Sequence, residues 1–249
     1  MGVFEEYSKY YDLLYKDKDY KGEVDYIDEL IKIYHPHAKT VLDLGCGTGK
    51  HDHYLTKKGY NVYGVDISEE MISQAIKENN DATTYSVGDM RYIELNKCFD
   101  VVISLFHVMS YQITNDDIIN GFKTAYKHLD KNGIFIFDCW YGPAVLTDRP
   151  SIRIKRLEDK NIQVIRIAEP IMYPERNVVD VNYNIIIQDK VTDKTVQLKE
   201  THSMRYLFSP EIEYFMKEIG FKLILSEEFM TKRPLSFQSW NAIFIGEKI

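Results

Sequence analysis

Val41-Leu-Asp-Leu-Gly-Cys-Gly-Thr-Gly-Lys50 joins an apolar run to three glycines at alternate positions. Thr40–Leu44 reads as a buried strand and the segment around Lys50–Lys58 as a helix. Gly45, Gly47 and Gly49 therefore fall where strand turns into helix. Glycine there permits dihedrals closed to other residues and lets a ligand lie against bare main chain. A phosphate-binding loop is excluded, because no Gly-Lys-Ser/Thr follows at the required distance. The dinucleotide pattern Gly-x-Gly-x-x-Gly fits only in part. Gly45 and Gly47 satisfy it, but Lys50 stands where the third glycine belongs.

Two acids extend the pattern. Asp66 ends the next apolar run, Asn61–Val65, 21 residues past Gly45. A carboxylate at that place can accept from both hydroxyls of a ribose. Taken alone, Asp66 could simply precede a helix N-terminus, where negative charge is favourable; beside the glycine loop the ligand reading is the stronger one. Gly88-Asp-Met-Arg91 follows the next strand. A carboxylate there could accept from an adenine amino group while Met90 packs the ring, although such a sequence by itself is more often a turn.

Outward from the loop, strand and helix patterns alternate. Helix is expected from Ser68 to Lys77, a short strand over Thr84–Val87 and a strand over Phe99–Leu105. A helix near Asp116–Leu129 and a strand over Gly133–Asp138 follow. This order calls for a parallel sheet with helices on both faces. From about Tyr141 to Tyr206 the period falls to two, as in VDVNYNI, which implies about four antiparallel strands. Ser209–Gly220 is then a helix with Ser209 as N-cap, Pro210 in the first turn and Gly220 at the end. Phe221–Ser226 and Asn241–Gly246 close the chain as strands. The first 35 residues are acidic, tyrosine-rich and helical in pattern.

VLDLGCGTG (41–49), VDIS (65–68), GDM (88–90) and FDVVISLF (99–106), in this order and spacing, resemble the class I S-adenosylmethionine-dependent methyltransferases. The resemblance implies an α/β fold: a Rossmann-like, mostly parallel sheet of seven strands with an antiparallel terminal strand, here carrying an inserted antiparallel β-sheet. It divides the chain into a helical lid (1–35), a cofactor-binding core (36–140 and 207–249) and an insertion (141–206) for acceptor binding or dimer contact. S-adenosylmethionine is the implied cofactor and S-adenosylhomocysteine its product. Asp43, Gly45, Cys46 and Gly47 would hold the methionine part, Asp66 and Ile67 the ribose, and Asp89 and Met90 the adenine. Leu105 would lie beneath the cofactor, and Tyr20 and Met71 would join its site. The cofactor has no phosphate, which agrees with the missing third glycine.

Further segments, among them Tyr10–Tyr20, Gly47–His51, Asp138–Tyr141 and Met204–Ser209, are similar to the N-methyltransferases that dimethylate nucleotide-linked amino sugars. In those relatives an N-terminal tyrosine and a histidine after the fourth strand line the acceptor amine. Tyr11 matches the tyrosine. Tyr111 occupies the histidine's place, and His107 lies one turn earlier, so Tyr11, His107 and Tyr111 are the catalytic candidates. Trp140 and His202 are assigned to the acceptor. Arg153 and Arg156 belong to a basic cluster with Arg149 and Lys155, where Arg could grip a phosphate in bidentate fashion. The bland reading of that cluster is a solvated strand face. O- or C-methylation of another metabolite, or non-catalytic cofactor binding, are the alternatives.

Composition bounds the rest. The chain has 249 residues, 45% hydrophobic and 28% charged, as in an ordinary globular protein. A formal net charge of −7 and the lack of a basic face disfavour nucleic acid as a partner, leaving a small-molecule acceptor and a possible homodimer. Three scattered cysteines (Cys46, Cys98, Cys139), no signal architecture and no apolar run long enough to span a bilayer suggest a cytoplasmic protein with no membrane partner. No metal-ligand spacing is evident. His51 and His53 are two apart on an expected helix and face different ways. The 19 tyrosines are the compositional oddity, and five of them crowd the first 20 residues.

Overall fold

The structure, a computed structural model, describes residues 13–16, 18–78 and 82–249. The expected catalytic Tyr11 lies outside the described residues. The chain forms two compact units, one of residues 20–148 with 205–249 and one of residues 149–204 with the N-terminal stretch up to Asp19.

The larger unit opens with α1 (Tyr20–Tyr34), β1 (Thr40–Leu44), α2 (Lys50–Lys57), β2 (Asn61–Asp66), α3 (Glu69–Glu78), β3 (Thr83–Val87) and β4 (Phe99–Ser104). A 3-10 turn (Val108–Tyr111), α4 (Asn115–Lys127), β5 (Leu129–Tyr141) and α5 (Gly142–Thr147) follow. Strands run parallel in the order β3-β2-β1-β4-β5. The chain leaves β1 toward β2 and β3, then returns to β4 on the other side. The carboxyl ends of β1 and β4 therefore face a crevice at the point where strand order reverses, which is where ligands bind in such sheets.

Strand alternation sorts the core into two layers. Val41, Val101, Ile103, Ile134 and Ile136 pack on one face with Val24, Ile27, Leu30 and Ile31 of α1 and Leu55 of α2. Leu42, Leu44, Val102, Phe135 and Phe137 pack on the other with Phe122 of α4. The position of α1 differs from the expected lid. Its apolar stripe is fully committed to the core, so it belongs with the sheet rather than over a ligand.

After the insertion the chain adds α6 (Ser209–Ile219), β10 (Phe221–Glu228) and β11 (Asn241–Lys248). β11 is antiparallel to both β5 and β10, which completes seven strands with the expected terminal reversal. The α6 N-cap position falls to Phe208 rather than Ser209, and the Glu211 carboxylate accepts from the Phe208 N–H at 3.2 Å. Gly220, at φ +109, ends the helix in the left-handed conformation that glycine permits.

The smaller unit is the antiparallel sheet of β6 (Arg153–Glu158), β7 (Ile162–Tyr173), β8 (Val178–Asp189) and β9 (Thr195–Leu207, of which the first ten residues belong to this unit). Ile162, Val164, Ile185 and Ile187 form its apolar cluster with Leu14. Its borders differ from the expected 141–206. α5 buries Ala144 and Val145 and stays with the core, and Tyr206 and Leu207 pair with Trp140 and Tyr141 of β5. The short GPAVLT helix gave no period long enough to read.

Phe137 is fully buried with ring centroids 5.0 Å from Phe135, 5.2 Å from Phe122 and 5.5 Å from Phe244. Phe137→Ala removes the centre of this group, and urea titration should show a loss of about 3–5 kcal/mol.

Candidate active site

The glycine loop is a backbone device. Gly45, Gly47 and Gly49 have φ of +94, +54 and +72. The Gly45 and Cys46 N–H groups both donate to the Val65 carbonyl, at 2.7 and 3.0 Å, which bends the loop over the end of β2. A Cβ at Gly45 would sit 2.6 Å from both Val108 methyls, so the residue must be glycine on steric grounds as well.

Asp66 fastens this loop to the next. Its Oδ2 accepts from the Gly47 N–H at 2.9 Å and its Oδ1 from the Ser68 N–H at 2.9 Å. Each oxygen keeps a further lone pair. Asp66 lines a cavity of about 380 Å³ together with Gly45, Val65, Ile67, Gly88, Asp89, Met90, Arg91, Val108, Tyr111 and Gln112. Gly45, Asp66, Ile67, Asp89, Met90 and Tyr111 are thus brought together as expected from sequence. Ile67 is 68% exposed, an apolar side chain held at the rim.

Asp89 is more heavily engaged than expected. Arg91 grips it through Nε and Nη2, the latter at 2.6 Å, and the Arg91 N–H also donates to it at 2.9 Å. The Arg91 Nη1 reaches Asp117 at 2.6 Å. Hydrogen bonds from Arg91 hold the Asp89 carboxyl below its usual range. Gln112, which sequence reading missed, donates from Nε2 to the Met90 sulfur at 3.3 Å and to the Val108 carbonyl at 3.2 Å. It holds Met90 in place, and its only sequence signal is the one-turn spacing from Val108.

The remaining cofactor candidates stand back from the cavity wall. Cys46 is buried, and burial pushes its thiol well up, so it is a packing residue there. Leu105 is buried in the core layer beneath. Met71 donates its N–H to the Ser68 hydroxyl at 3.3 Å in the first turn of α3. Tyr20 lies edge-on to His51, with ring centroids 5.0 Å apart, and His51 Nε2 meets Glu23 at 2.7 Å.

Asp43 is buried under the loop beside Asp52, which has no exposed surface. Two ionised carboxylates cannot donate to one another, and although Tyr85 brings its hydroxyl to Asp52, no donor joins Asp52 to Asp43 at hydrogen-bond geometry. One shared proton supplies the missing donor. Burial and the Asp52 charge push the Asp43 carboxyl well up, and burial lifts Asp52 to about 6. Burial and the neighbouring acid thus oppose ionisation of Asp43, which supports the loop from beneath.

At the carboxyl ends of β4 and β5, His107 and Asp138 meet. His107 Nδ1 lies 2.6 Å from the Asp138 carboxylate, off the line of a straight hydrogen bond. The His107 N–H also donates to both Asp138 oxygens, at 3.1 and 3.2 Å. Trp140 donates its N–H to the Ser110 hydroxyl at 2.9 Å, which ties the end of β5 to the 3-10 turn that carries Tyr111. Sequence reading found His107 but not its acid, because the two are 31 residues apart, one in the turn after β4 and the other on β5.

In the insertion, Arg153 and Arg156 do not form one site. They are an odd number of residues apart on β6, so their side chains leave opposite faces. Register places Arg153 opposite Ala168 and Lys155 opposite Arg166, so Arg153, Lys155 and Arg166 share a face. Arg166 stacks over Tyr183 at 4.8 Å, and His202 meets that ring edge-on at 5.1 Å. The described residues bring together no three His, Cys, Asp or Glu side chains that could hold a metal ion, and none of their helices is long and apolar enough to cross a membrane.

Residues 41–133 match the methyltransferase domain family. Over 99% of its length the chain superposes on 99% of an S-adenosylmethionine-dependent methyltransferase from Clostridium acetobutylicum, with a TM-score of 0.83 at 22% identity. Residues 41–133 thus carry a methyltransferase domain, and the superposition gives the chain the fold of such an enzyme. The chain is also 32% identical over 145 residues to dTDP-3-amino-3,4,6-trideoxy-alpha-D-glucopyranose N,N-dimethyltransferase of Streptomyces venezuelae. That match spans 57% of the chain and 61% of the relative. A second similarity, at 25% identity, covers 97% of the chain and 90% of dTDP-3-amino-3,6-dideoxy-alpha-D-glucopyranose N,N-dimethyltransferase of Streptomyces fradiae.

The methyltransferase site suits its cofactor chemically. S-adenosylmethionine offers a ribose diol and an adenine amino group to carboxylates, and Asp66 and Asp89 stand at the wall of one cavity. Its backbone must lie against main chain, and the loop is glycine where a side chain would collide.

Two measurements check the site. Asp66→Ala removes charged acceptors from the wall and the clasp between two loops; calorimetry should show S-adenosylhomocysteine binding weakened on the order of 100-fold. Asp52→Asn tests the buried pair. An unfolded aspartate gives up its proton near 3.8, whereas folded Asp52 holds it to about 6. Across that window the folded state binds the extra proton, so rising pH removes stability. The Tm of Asp52→Asn should gain on the unmodified protein as pH rises from about 4 to about 6, by roughly 5 °C, and the gap should then stay constant.

Proposed function

We propose that this protein transfers a methyl group from S-adenosylmethionine to the amine of a nucleotide-linked amino sugar. The observation that carries the reading is the similarity along 97% of the chain to an amino-sugar N,N-dimethyltransferase. The placement of Tyr111 on the cavity wall, with His107 at the head of the same 3-10 turn, supports it.

The bound cofactor supplies an electrophilic methyl on a positively charged sulfur, with a neutral leaving group. The protein's part is to align and to manage one proton. Gly45 and Gly47 would present main chain to the cofactor, Asp66 and Ile67 would hold its ribose, and Asp89 would accept from its adenine while Met90 packs the ring. Alignment alone can supply about 7–11 kcal/mol in well-oriented reactions. The acceptor amine must be unprotonated to attack, so a neighbouring base has to remove its proton. His107 is assigned that role and Tyr111 hydrogen-bonds the amine. Tyr11 is assigned to the amine as well, and Trp140 to the rest of the acceptor.

The nucleotide's phosphates need cationic partners. Arg153, Lys155 and Arg166 offer three cations on one sheet face, and this trio replaces the pair Arg153 and Arg156.

The test is turnover of labelled S-adenosylmethionine with dTDP-linked 3-amino and 4-amino deoxysugars, set against catechol and free amino acids. Mono- and dimethylated amino sugar should accumulate, and turnover confined to the other acceptors would overturn the reading. With an active dTDP-sugar, Arg153→Ala should raise the acceptor KM about tenfold and Arg156→Ala should change it less than twofold.

A further inference from the structure

Asp138 is a buried carboxylate with an unusual set of neighbours. It is wholly inaccessible, and no Lys or Arg pairs with it among the described residues. Its ion-pair partner is His107, through Nδ1 at 2.6 Å, and its oxygens also receive the His107 main-chain N–H. A buried charge is costly unless compensated, so the fold places it against a group able to become positive.

The backbone is bent to make this contact. Phe106 and His107 both take left-handed conformations, with φ of +66 and +64. Side chains larger than glycine occupy that region at a cost of order 1–3 kcal/mol each, sustained only where the surroundings over-determine it. Here β4 ends at Ser104, the two residues turn, and the Ser110 N–H closes the turn on the His107 carbonyl at 2.9 Å. The turn sets the imidazole on Asp138 and begins the segment that supplies Val108, Tyr111 and Gln112 to the cavity wall.

We propose that Asp138 is the positioning residue of a His107 proton acceptor. This rests on the reading of the protein as an amine methyltransferase. An Nδ1 lone pair 2.6 Å from a carboxylate would be repelled by it, so Nδ1 carries the hydrogen and Nε2 the free lone pair. The His107 side chain keeps 17% of its surface, so the ring is only partly enclosed. In the reaction Nε2 takes one proton from the acceptor's ammonium group, and the pair of that N–H bond stays on nitrogen. This pair forms the new C–N bond as the C–S bond of the methyl donor breaks, and sulfur keeps the electrons of that bond. The imidazolium then lies beside a buried negative charge that was in place beforehand. A second methylation repeats the cycle once His107 has released its proton to solvent.

The test has two arms on the full chain. In the first, the protein is labelled with nitrogen-15 histidine and two-bond proton–nitrogen spectra are taken at about pH 8 without acceptor. His107 is assigned by the signal lost in His107→Asn. The Nδ1–H tautomer is expected in the unmodified protein and the Nε2–H tautomer in Asp138→Asn. An Nε2–H tautomer in the unmodified protein would overturn the pairing. In the second arm, kcat is measured with dTDP-3-amino-3,4,6-trideoxyglucose. Asp138→Asn and His107→Asn should each lose roughly tenfold to a thousandfold in kcat, with the double variant no worse than the poorer single. S-adenosylhomocysteine affinity should stay within about twofold throughout, which separates the effect from misfolding. Full kcat in Asp138→Asn overturns the inference while leaving the methyltransferase reading intact. If no amino sugar is turned over by the unmodified protein, the reading itself falls, and the first arm still reports whether Asp138 sets the tautomer.

Discussion

The Asp66 carboxylate holds the site together. One oxygen accepts from Gly47 in the loop after β1, the other from Ser68 at the start of α3, so a single side chain fastens the two turns that face the crevice. The clasp works only because the loop can come to it. Gly45 and Gly47 take positive φ, and the Gly45 and Cys46 N–H groups are already spent on the Val65 carbonyl. Val108, at the turn after β4, then packs against Gly45 with no room for a Cβ. The loop after β1 is thus tied to the end of β2 by three hydrogen bonds, from Gly45, Cys46 and Gly47, and to the turn after β4 by one steric contact. Charged hydrogen bonds to a carboxylate contribute about 1.5–3 kcal/mol each, enough to order loops that carry little apolar burial of their own.

Beneath the clasp the protein buries a second pair of acids. Asp43 is the penultimate residue of β1, and Asp52 lies in the first turn of the helix that follows the glycines. Both would be destabilising as charges. Holding a proton between them converts a repulsive pair into a hydrogen bond that links strand to helix across the loop, at the cost of sensitivity to pH. The loop is thus fixed from above by Asp66 and from below by the Asp43–Asp52 pair.

Much of this was legible in the sequence, for physical reasons that differ by element. The sheet order follows from alternating strand and helix periods, and VLDLGCGTG with Asp66 marks the crevice because only glycine and a carboxylate suit those places. The layer assignment of α1 was not legible: an amphipathic helix shows that it buries a face, not which face of which sheet receives it. Arg153 and Arg156 are neighbours as letters, yet the two-residue period of a strand parts them, and Arg153 instead shares its face with Lys155 and with Arg166 on the next strand. Asp138 and Gln112 were hidden for a related reason. Each acts through a contact between segments far apart in sequence, and nothing local in FDCW or SYQI distinguishes a functional polar residue from a structural one.

The charge of the cavity wall decides which cofactor chemistry it can serve. Asp66 and Asp89 bring two negative charges and Arg91 one positive, and the Arg91 guanidinium is already committed to Asp89 and Asp117. Lys50, standing where a dinucleotide loop has its third glycine, reaches Glu78 at 2.5 Å. Among the described residues no lysine lines the wall. A pyrophosphate would meet uncompensated carboxylate charge, repelled by more than 1 kcal/mol per contact at the effective dielectric of a partly enclosed site. A sulfonium with an ammonium group meets attraction instead. The same glycine geometry that serves phosphate in other α/β sheets serves a cation here, because the acids around it were kept and the bases were turned elsewhere.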